Sequence, residues 1–237
     1  MLQARFKEDD LTEAGIDEAG RGCFWGPLMA AAVVWPRGEW DETLQKLAPQ
    51  IRDSKKISPK KRAVIAETMR EYSRTHGTLL YGVGSVSAEE LDSYGVTWAN
   101  QTAFERAVAQ ITPRPQRLLI DGILACNYEH GDVHTIVDGD ATYLAIAAAS
   151  ILAKEAHDDW VQQFCEAEPE IATRYSLATC KGYGTAKHRE GLRTHGAHEY
   201  HRQRFINGGG SKEGGYVRKE RAEKCLIKIE EEEEDAI

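Results

Sequence analysis

The stretch "GIDEAGRGCFWGPLMAAAVV", residues 15–34, decides the fold of this chain. It opens with a short apolar run that ends in two adjacent acids, Asp17 and Glu18. An arginine between two glycines follows, and then a second apolar run of small and β-branched residues. Apolar runs bounded by glycine in this way are typical of strands. The stretch therefore predicts two strands, over residues 14–19 and 28–35, with two carboxylates late in the first one.

The rest of the chain predicts further strands and helices. Apolar runs predict three more strands, over residues 78–86, 117–121 and 133–138. Apolar spacing and capping signals predict helices that begin after Ser58, after Ser87, near Thr97 and after Asp140. This order of elements predicts an α/β fold in which a five-stranded sheet is mixed, not wholly parallel, and is flanked by helices.

The length and composition allow one sizeable core, or one domain with a smaller appendage. The chain has 237 residues, 41% of them hydrophobic, and a net charge of −8. Six consecutive acids at 230–235 carry most of that charge, and "DSKKISPKKR" at 53–62 is basic, so a nucleic-acid partner is not excluded.

No apolar run is long enough to span a membrane, and the N-terminus lacks the apolar core of a signal peptide. The five cysteines form no CxxC pair, which favours a reducing cytoplasm over a disulfide framework.

Four acids fall at or near predicted strand ends. Asp17 and Glu18 lie late in the first strand, Asp121 ends the fourth, and Asp140 follows the fifth. If these strands are neighbours, four carboxylates converge, and a cation is needed to offset their repulsion. Mg²⁺ prefers oxygen ligands, and two such ions about 4 Å apart can stabilise the attacking and leaving oxygens of a phosphodiester displacement. The pattern thus indicates a metal-dependent phosphodiesterase, although Asp121 or Asp140 alone would be read as a strand end or a helix cap.

The adjacent acids raise a geometric difficulty, because successive residues of a strand point to opposite faces. Asp17 and Glu18 can share a site only if the chain bends there, or if Glu18 already lies past the regular strand. Gly20 and Gly22 make a bend easy, and their backbone N–H groups can approach a ligand closely. We expect this turn to lie against a phosphate or a sugar.

Five motifs together resemble the ribonuclease HII family. In chain order they are the opening stretch, "DSKKISPKKR", "LLIDG", "GDATYLAIAAASILAKEAHDD" and "CKGYGTAKH", and the resemblance covers about residues 14–205. It implies a ribonuclease H-like mixed sheet with a small helical C-terminal appendage. The implied divisions are a lead-in over 1–13, a catalytic domain over 14–190, the appendage over 191–206, and a glycine-rich linker with an acidic tail over 207–237.

The resemblance implies an endoribonuclease that hydrolyses the RNA strand of RNA–DNA hybrids. It also implies cutting on the 5′ side of a ribonucleotide embedded in duplex DNA, which leaves 3′-hydroxyl and 5′-phosphate ends. Two Mg²⁺ or Mn²⁺ ions per site are implied as cofactors. The partners are then hybrid and ribonucleotide-containing duplexes, with no membrane partner, and we expect a cytoplasmic monomer.

The resemblance also assigns roles to individual residues. The metal-binding catalytic acids are implied to be Asp17, Glu18, Asp121 and Asp140. The ribonucleotide would be read, largely through backbone contacts to its 2′-hydroxyl, by Gly20, Arg21 and Gly22. The sugar that follows would stack on Tyr183, and phosphates would be bound by Lys55, Lys154 and Lys181. The 2′-hydroxyl is the group that distinguishes RNA from DNA.

Four positions depart from the pattern of the family. Cys180 replaces a common histidine, Glu199 a usual proline, and Arg204 a usual serine. Asp138 replaces a common lysine and adds negative charge near Asp140.

Two other classes of function stay open on the residues alone. A zinc hydrolase could use His195, His198 and His201 with Glu199, but these residues lack the HExxH spacing that places two histidines on one helix face. A non-catalytic nucleic-acid binder could use the basic patch and Tyr183. Such a binder would have no use for four carboxylates that repel phosphate in the absence of a metal.

Overall fold

The computed structural model describes residues 2–207, and a five-stranded sheet forms its centre. Strands β1 to β5 span Glu13–Ala19, Leu28–Val34, Leu80–Val86, Arg117–Asp121 and Asp132–Ile136. Their order in the sheet is β3-β2-β1-β4-β5. The β1–β2 and β2–β3 pairs are antiparallel, and the β1–β4 and β4–β5 pairs are parallel. The predicted mixed sheet is thus confirmed, and the first, fourth and fifth strands are neighbours.

Helices α1 to α9 span, in chain order, Glu42–Leu47, Pro59–His76, Ala88–Tyr94, Val96–Val108, Leu144–Ala167, Pro169–Arg174, Leu177–Cys180, Ala186–His195 and Gln203–Ile206. The capping box that predicted α3 is present, with Ser87 and Glu90 bonded reciprocally. The helix predicted after Ser58 is also present, but the Ser58 side chain makes no capping hydrogen bond. The long helix α5 begins later than predicted, because a 3₁₀ turn over Gly139–Ala141 comes first.

Helices cover both faces of the sheet. Helices α5 and α2 pack on one face and α4 on the other, so β2 is buried along its whole length and is rich in alanine. Gly15 in β1 permits the closest approach: a Cβ there would lie 2.2 Å from the carbonyl carbon of Ala145 in α5. The spacing between β1 and α5 is therefore fixed by a contact that no larger residue allows.

A smaller cluster joins the C-terminal helices to the loop after β1. Trp25 of that loop is fully buried and lies 5.4 Å from Tyr175, between ring centroids. Asp92 in α3 accepts the backbone N–H groups of Gln203 and Arg204 at 2.7 and 3.0 Å. The divisions placed after residues 13, 190 and 206 stay predictions, and the tail from residue 208 onward lies outside the described residues. Between residues 2 and 207, the helices are all too short or too polar to cross a membrane.

Candidate active site

Asp17 and Glu18 lie where β1 parts from β4. The pairing of these strands ends at Ile16 and Ile120, whereas the pairing of β1 with β2 continues past Glu18. Glu18 therefore lies inside the regular strand, with no bend before it, which corrects the expectation of a bend or an early strand end. Both acids reach one site because β4 ends at Asp121, whose charge acts on each of them.

Asp17 is the most enclosed of the four acids. Its side chain points to the α5 face, and the residue is 9% exposed. Burial, together with the charges of Glu18, Asp121 and Asp140, raises the pKa of Asp17 to about 8. One of its oxygens accepts the backbone N–H of Glu18 at 2.7 Å. A cation among these carboxylates would favour the ionised form of Asp17.

Glu18 points to the opposite face and contacts α4. Asn100 Nδ2 lies 3.5 Å from one carboxylate oxygen of Glu18, and Arg21 Nη1 lies 3.1 Å from the other. Burial raises the pKa of Glu18, and the Arg21 guanidinium opposes that shift. Arg21 itself has a side chain that is 58% exposed. The arginine of the turn thus balances an acid of the site while it stays open to solvent.

Asp121 and Asp140 are joined through the turn after β5. The backbone N–H of Gly139 donates to Asp121 Oδ1 at 2.8 Å, and Asp140 is the next residue. Burial has the largest effect on the pKa of Asp140 and raises it. The negative charges of Asp121 and Asp53 raise the pKa as well, while the positive charge of Lys55 lowers it. The four acids predicted from the sequence are therefore brought together, and Asp53 adds a fifth acid beside them.

The four carboxylates lie close enough to affect one another's pKa, but they do not form a preformed metal site. Each of Asp17, Glu18 and Asp140 has its pKa raised by the charge of Asp121. Yet among residues 2–207 no three His, Cys, Asp or Glu side chains are already placed to hold a metal ion together. His195, His198 and His201, the histidines considered for a zinc site, form no such group either. The ring of His201 instead bonds to His188 Nε2 and accepts the backbone N–H of His198.

The two glycines of the turn after β1 differ in their surroundings: Gly20 is tightly packed, and Gly22 has free space beside it. Gly20 has a φ of 77°, and a Cβ there would lie 2.4 Å from the ring of His157, so the protein itself requires glycine. A Cβ on Gly22 would meet no atom within 4 Å. The packing of the protein therefore does not explain Gly22, and the free space beside it is available to a ligand.

Arg202 holds this turn from the C-terminal segment. It is fully buried, and its guanidinium donates to the carbonyl oxygens of Gly20, Arg21 and Gly26 at 2.6, 3.0 and 2.8 Å. A trans peptide directs its N–H opposite to its C=O. With the carbonyls of residues 20 and 21 turned towards Arg202, the N–H groups of Arg21 and Gly22 point away from it.

Tyr183 lies beside the same turn. Its ring is partly exposed, and Cys23 and Tyr183 form an isolated antiparallel bridge between their backbones. Burial and the neighbouring Cys23 thiol together raise the pKa of Tyr183 to about 12, while a backbone hydrogen bond with Gly20 opposes the shift. The structure therefore brings Tyr183 and the turn together, as is needed if the turn binds a ribonucleotide and Tyr183 stacks on the sugar that follows it.

The three lysines differ in position. Lys55 is exposed, and its positive charge lowers the pKa of both Glu18 and Asp140. Lys154 bonds to Asp158 at 2.7 Å and lies 5.5 Å from the centre of the Tyr183 ring. Lys181 Nζ lies 3.4 Å from the side chain of Gln162. The structure thus relates Lys55 to the acids and Lys154 to Tyr183, and the side chain of Lys181 to Gln162.

Three contacts of the site were missed from the sequence. Asp53 was visible as the single acid of the basic patch, but nothing local placed it near Asp140. Asn100 has a weak signal, as a polar residue on the apolar face of α4. The contacts of Arg202 have no local signal, because its partners are more than 170 residues away.

The departures from the family pattern fall mostly outside the acids. Asp138 is exposed with a φ of 54°, and Cys180 is buried with its Sγ 3.3 Å from His188 Nδ1. Arg204 Nε donates to the backbone carbonyl of Asp92 and fastens α9 to α3. Nothing in the structure explains Glu199, which is exposed.

The sheet order, with acids at the ends of β1 and β4 and in the turn after β5, defines a ribonuclease H-like endonuclease. The chain belongs to the ribonuclease HII family, whose family model, described as Ribonuclease HII, matches residues 14–208. The ribonuclease HII of Bacteroides thetaiotaomicron is 41% identical over 196 residues, which cover 83% of this chain and 90% of that protein.

Solved structures support the same fold. The chain resembles a structure of the PCNA:RNase HII complex from Archaeoglobus fulgidus, with a TM-score of 0.62 and 24% identity over 82% of this chain and 95% of that one. It also resembles Bst-RNase HIII in complex with Mn²⁺, with a TM-score of 0.55 and 18% identity over 78% of this chain and 70% of that one. The predicted ribonuclease H-like fold and the resemblance to ribonuclease HII are confirmed.

Proposed function

We propose that this ribonuclease hydrolyses the RNA strand of RNA–DNA hybrids and cuts on the 5′ side of ribonucleotides embedded in duplex DNA. It leaves 3′-hydroxyl and 5′-phosphate ends. The observation that carries the proposal is the juxtaposition of an acid cluster suited to cations with a turn that offers free backbone donors. Glu18 and Arg21, three residues apart, join the two parts through a contact of 3.1 Å.

The acid cluster fits a hard divalent cation by its chemistry. Its donors are carboxylate oxygens, which Mg²⁺ and Mn²⁺ accept, and no sulfur or imidazole lies among them. The residues that would hold two such ions are Asp17, Glu18, Asp121 and Asp140. The bound cations would supply a nucleophile at neutral pH and stabilise the leaving oxygen. The residues of the chain orient the substrate, and Asp121 in particular is held in place by the backbone of Gly139.

The turn supplies recognition of the ribonucleotide. Because Arg202 holds the carbonyls of Gly20 and Arg21, the outward N–H groups of Arg21 and Gly22 are available to donate hydrogen bonds to a ligand oxygen. A 2′-hydroxyl oxygen is such an acceptor, and it is absent from DNA. The open space at Gly22 lets the sugar approach the backbone.

Tyr183 and the lysines complete the substrate surface. The partly exposed ring of Tyr183 can stack on the sugar that follows the ribonucleotide, and Lys154 lies close to the same ring. Lys55 is placed to contact a phosphate near the acids, and Lys181 to contact one farther along the duplex. The four cysteines of residues 2–207 are all unpaired, in keeping with action in the cytoplasm. We propose that the enzyme acts as a monomer, which sedimentation would test.

The test is incubation with a DNA duplex that carries one ribonucleotide, with Mg²⁺ or with EDTA. An all-DNA duplex of the same sequence and a continuous RNA–DNA hybrid are the controls. We expect Mg²⁺-dependent cutting at the ribonucleotide and along the hybrid, and none in all-DNA. Mg²⁺ should also raise the melting temperature of the protein without substrate, because a ligand that binds only the folded state stabilises it. Cutting that persists in EDTA, or equal cutting of all-DNA, would refute the proposal.

A further inference from the structure

His157 of helix α5 lies directly beneath the ribonucleotide-reading turn. The residue is fully buried, and a Cβ on Gly20 would lie 2.4 Å from its Cδ2 and 2.6 Å from its Nε2. The centre of the imidazole is 6.3 Å from that of the Tyr183 ring. The imidazole thus fills the space under Gly20 and borders Tyr183 at the same time.

One edge of the imidazole is fixed by Asp158. Asp158 Oδ1 lies 3.3 Å from His157 Nδ1 and 2.7 Å from Lys154 Nζ, while its other oxygen lies 2.9 Å from Arg62 Nη2. Arg62 is itself buried and bonds through Nε to Glu155 at 2.5 Å. Helices α2 and α5 therefore hold the Asp158 carboxylate from two sides, and the carboxylate sets the orientation of the imidazole.

The other edge of the imidazole meets Cys23, the residue after the turn. His157 Nε2 lies 3.5 Å from Cys23 Sγ. Burial lowers the pKa of His157, and burial raises the pKa of the Cys23 thiol to about 12. The imidazole thus bonds to Asp158 through Nδ1 and contacts the thiol through Nε2, and the same thiol donates to the backbone carbonyl of Lys181 at 3.6 Å.

Cys23, His157 and Asp158 are bonded in the same order as the nucleophile, base and orienting acid of a catalytic triad. Here the thiol is fully buried and protonated, so it is neither accessible nor a thiolate. The series is suited to holding structure, since each of its groups is desolvated and bonded to the next. What it holds is the backbone from Gly20 to Cys23.

We propose that His157 is a positioning residue, which, held by Asp158, sets the position of the Gly20–Gly22 turn and of Tyr183 against the sugar of the ribonucleotide. The inference rests on the proposed function, because it assigns this support to the turn that reads the 2′-hydroxyl. Displacement of a substrate-orienting group by about 1 Å can cost on the order of 100-fold in rate. The support therefore matters even though His157 touches no reacting atom.

The test uses His157→Phe, which keeps the ring volume but loses both ring nitrogens, and His157→Gln, which keeps a donor and an acceptor. Met69→Ala, at a buried site of α2, is the control for loss of stability. For each protein we would measure the melting temperature, kcat and KM on a single-ribonucleotide duplex, and the Ki of an all-DNA duplex as competitor. The ratio of Ki to KM reports how well the 2′-hydroxyl is read.

We expect His157→Phe to lose about tenfold in kcat/KM and to lower the ratio of Ki to KM towards one. His157→Gln should recover part of both, and Met69→Ala should keep the wild-type ratio despite a lower melting temperature. A wild-type ratio in a folded His157→Phe protein would overturn the inference. If that variant does not fold, unchanged ratios in both His157→Gln and Asp158→Asn would overturn it. A wild-type enzyme that does not cut at the ribonucleotide would instead refute the proposed function.

Discussion

The backbone N–H of Gly139 donates a hydrogen bond to Asp121 Oδ1 at 2.8 Å, and this bond ties the end of β4 to the turn that carries Asp140. One oxygen of Asp121 is thus committed to the architecture of the site, and the other is left for a ligand. The two functions of this carboxylate can therefore be separated by substitution.

Asp121→Asn should remove activity and keep the fold. The amide oxygen can still accept the N–H of Gly139, but the negative charge is lost. We expect hybrid cleavage to fall on the order of 100-fold, and the melting temperature in EDTA to stay or rise slightly, because one repelling charge is gone. Asp121→Ala, which also loses the hydrogen bond, should be less stable than Asp121→Asn by about 1 kcal/mol. Wild-type cleavage by Asp121→Asn would show that the acid is not part of the site.

Tyr183→Ala should lose much more activity than Tyr183→Phe. Stacking on an aromatic ring is worth about 1–3 kcal/mol for a base, and each 1.4 kcal/mol of lost transition-state contact is about tenfold in rate. Tyr183→Phe keeps the ring but loses the contacts of the hydroxyl with Cys23 and Gly20, so a smaller loss is expected. The loss should be larger on a single-ribonucleotide duplex than on a continuous hybrid. Equal losses on both substrates in a folded variant would exclude a role at the junction.

Arg202→Lys should weaken the turn even though it conserves the charge. A lysine lacks the planar fork with which the guanidinium bonds to three carbonyl oxygens. We expect the free energy of unfolding to fall by about 2 kcal/mol or more in denaturant titrations, with a parallel loss of discrimination between ribonucleotide and all-DNA duplexes. Arg193→Lys, on the exposed side of α8, is the matched control and should change little. Full discrimination in Arg202→Lys would contradict the support given to the turn by Arg202.

Two buried histidines should make the stability of the protein sensitive to acid. The Nε2 atoms of His188 and His201 are 3.2 Å apart, and burial lowers the pKa of each to about 4. An unfolded chain binds these protons near pH 6.5. The stabilisation is therefore complete above about pH 6.5 and is lost as the pH falls towards 4.

The measurement is the free energy of unfolding between pH 7.5 and 4 for wild type and His188→Gln. The difference between the two proteins should shrink as the pH falls, because wild type alone loses the contribution of His188. His130→Gln, at an exposed position, should run parallel to wild type. A constant difference between wild type and His188→Gln would be incompatible with the prediction.

Removal of residues 207–237 should strengthen duplex binding at low salt. The six acids at 230–235 carry negative charge that repels phosphates, and salt screens that repulsion. Affinity for an all-DNA duplex at two salt concentrations measures the effect, which should disappear at the higher one. Replacement of the six acids by Gln and Asn is the matched control for chain length. A folded truncation that no longer cleaves hybrid would show that the tail belongs to the substrate surface.

The periodic features of the fold could be predicted from the sequence, and the long-range contacts could not. The apolar runs placed β1 and β4, and local capping placed α3. The acids were found because each follows an apolar run, but their meeting depended on a strand order that no local pattern determines. Short helices such as α1 and α7 span too few turns for a periodic signal.

The support of the turn was the least predictable part of the site. His157 is one polar residue on a long helix, and its packing against Gly20 depends on where the loop after β1 returns. The error about Glu18 has a related cause. Side chains do alternate along β1, but its pairing with β4 stops at Ile16 while its pairing with β2 continues, and this is a property of the sheet and not of the strand.

The contact between Arg202 and the Gly20 turn also orders events during synthesis of the chain. The two residues are separated by 182 positions, so the ribosome has made the whole sheet and all four acids before the guanidinium that shapes the turn exists. A nascent chain can therefore assemble its acids early, but it cannot fix the turn until the C-terminal segment has left the exit tunnel. On the proposed function, discrimination between RNA and DNA therefore waits until Arg202 has been made.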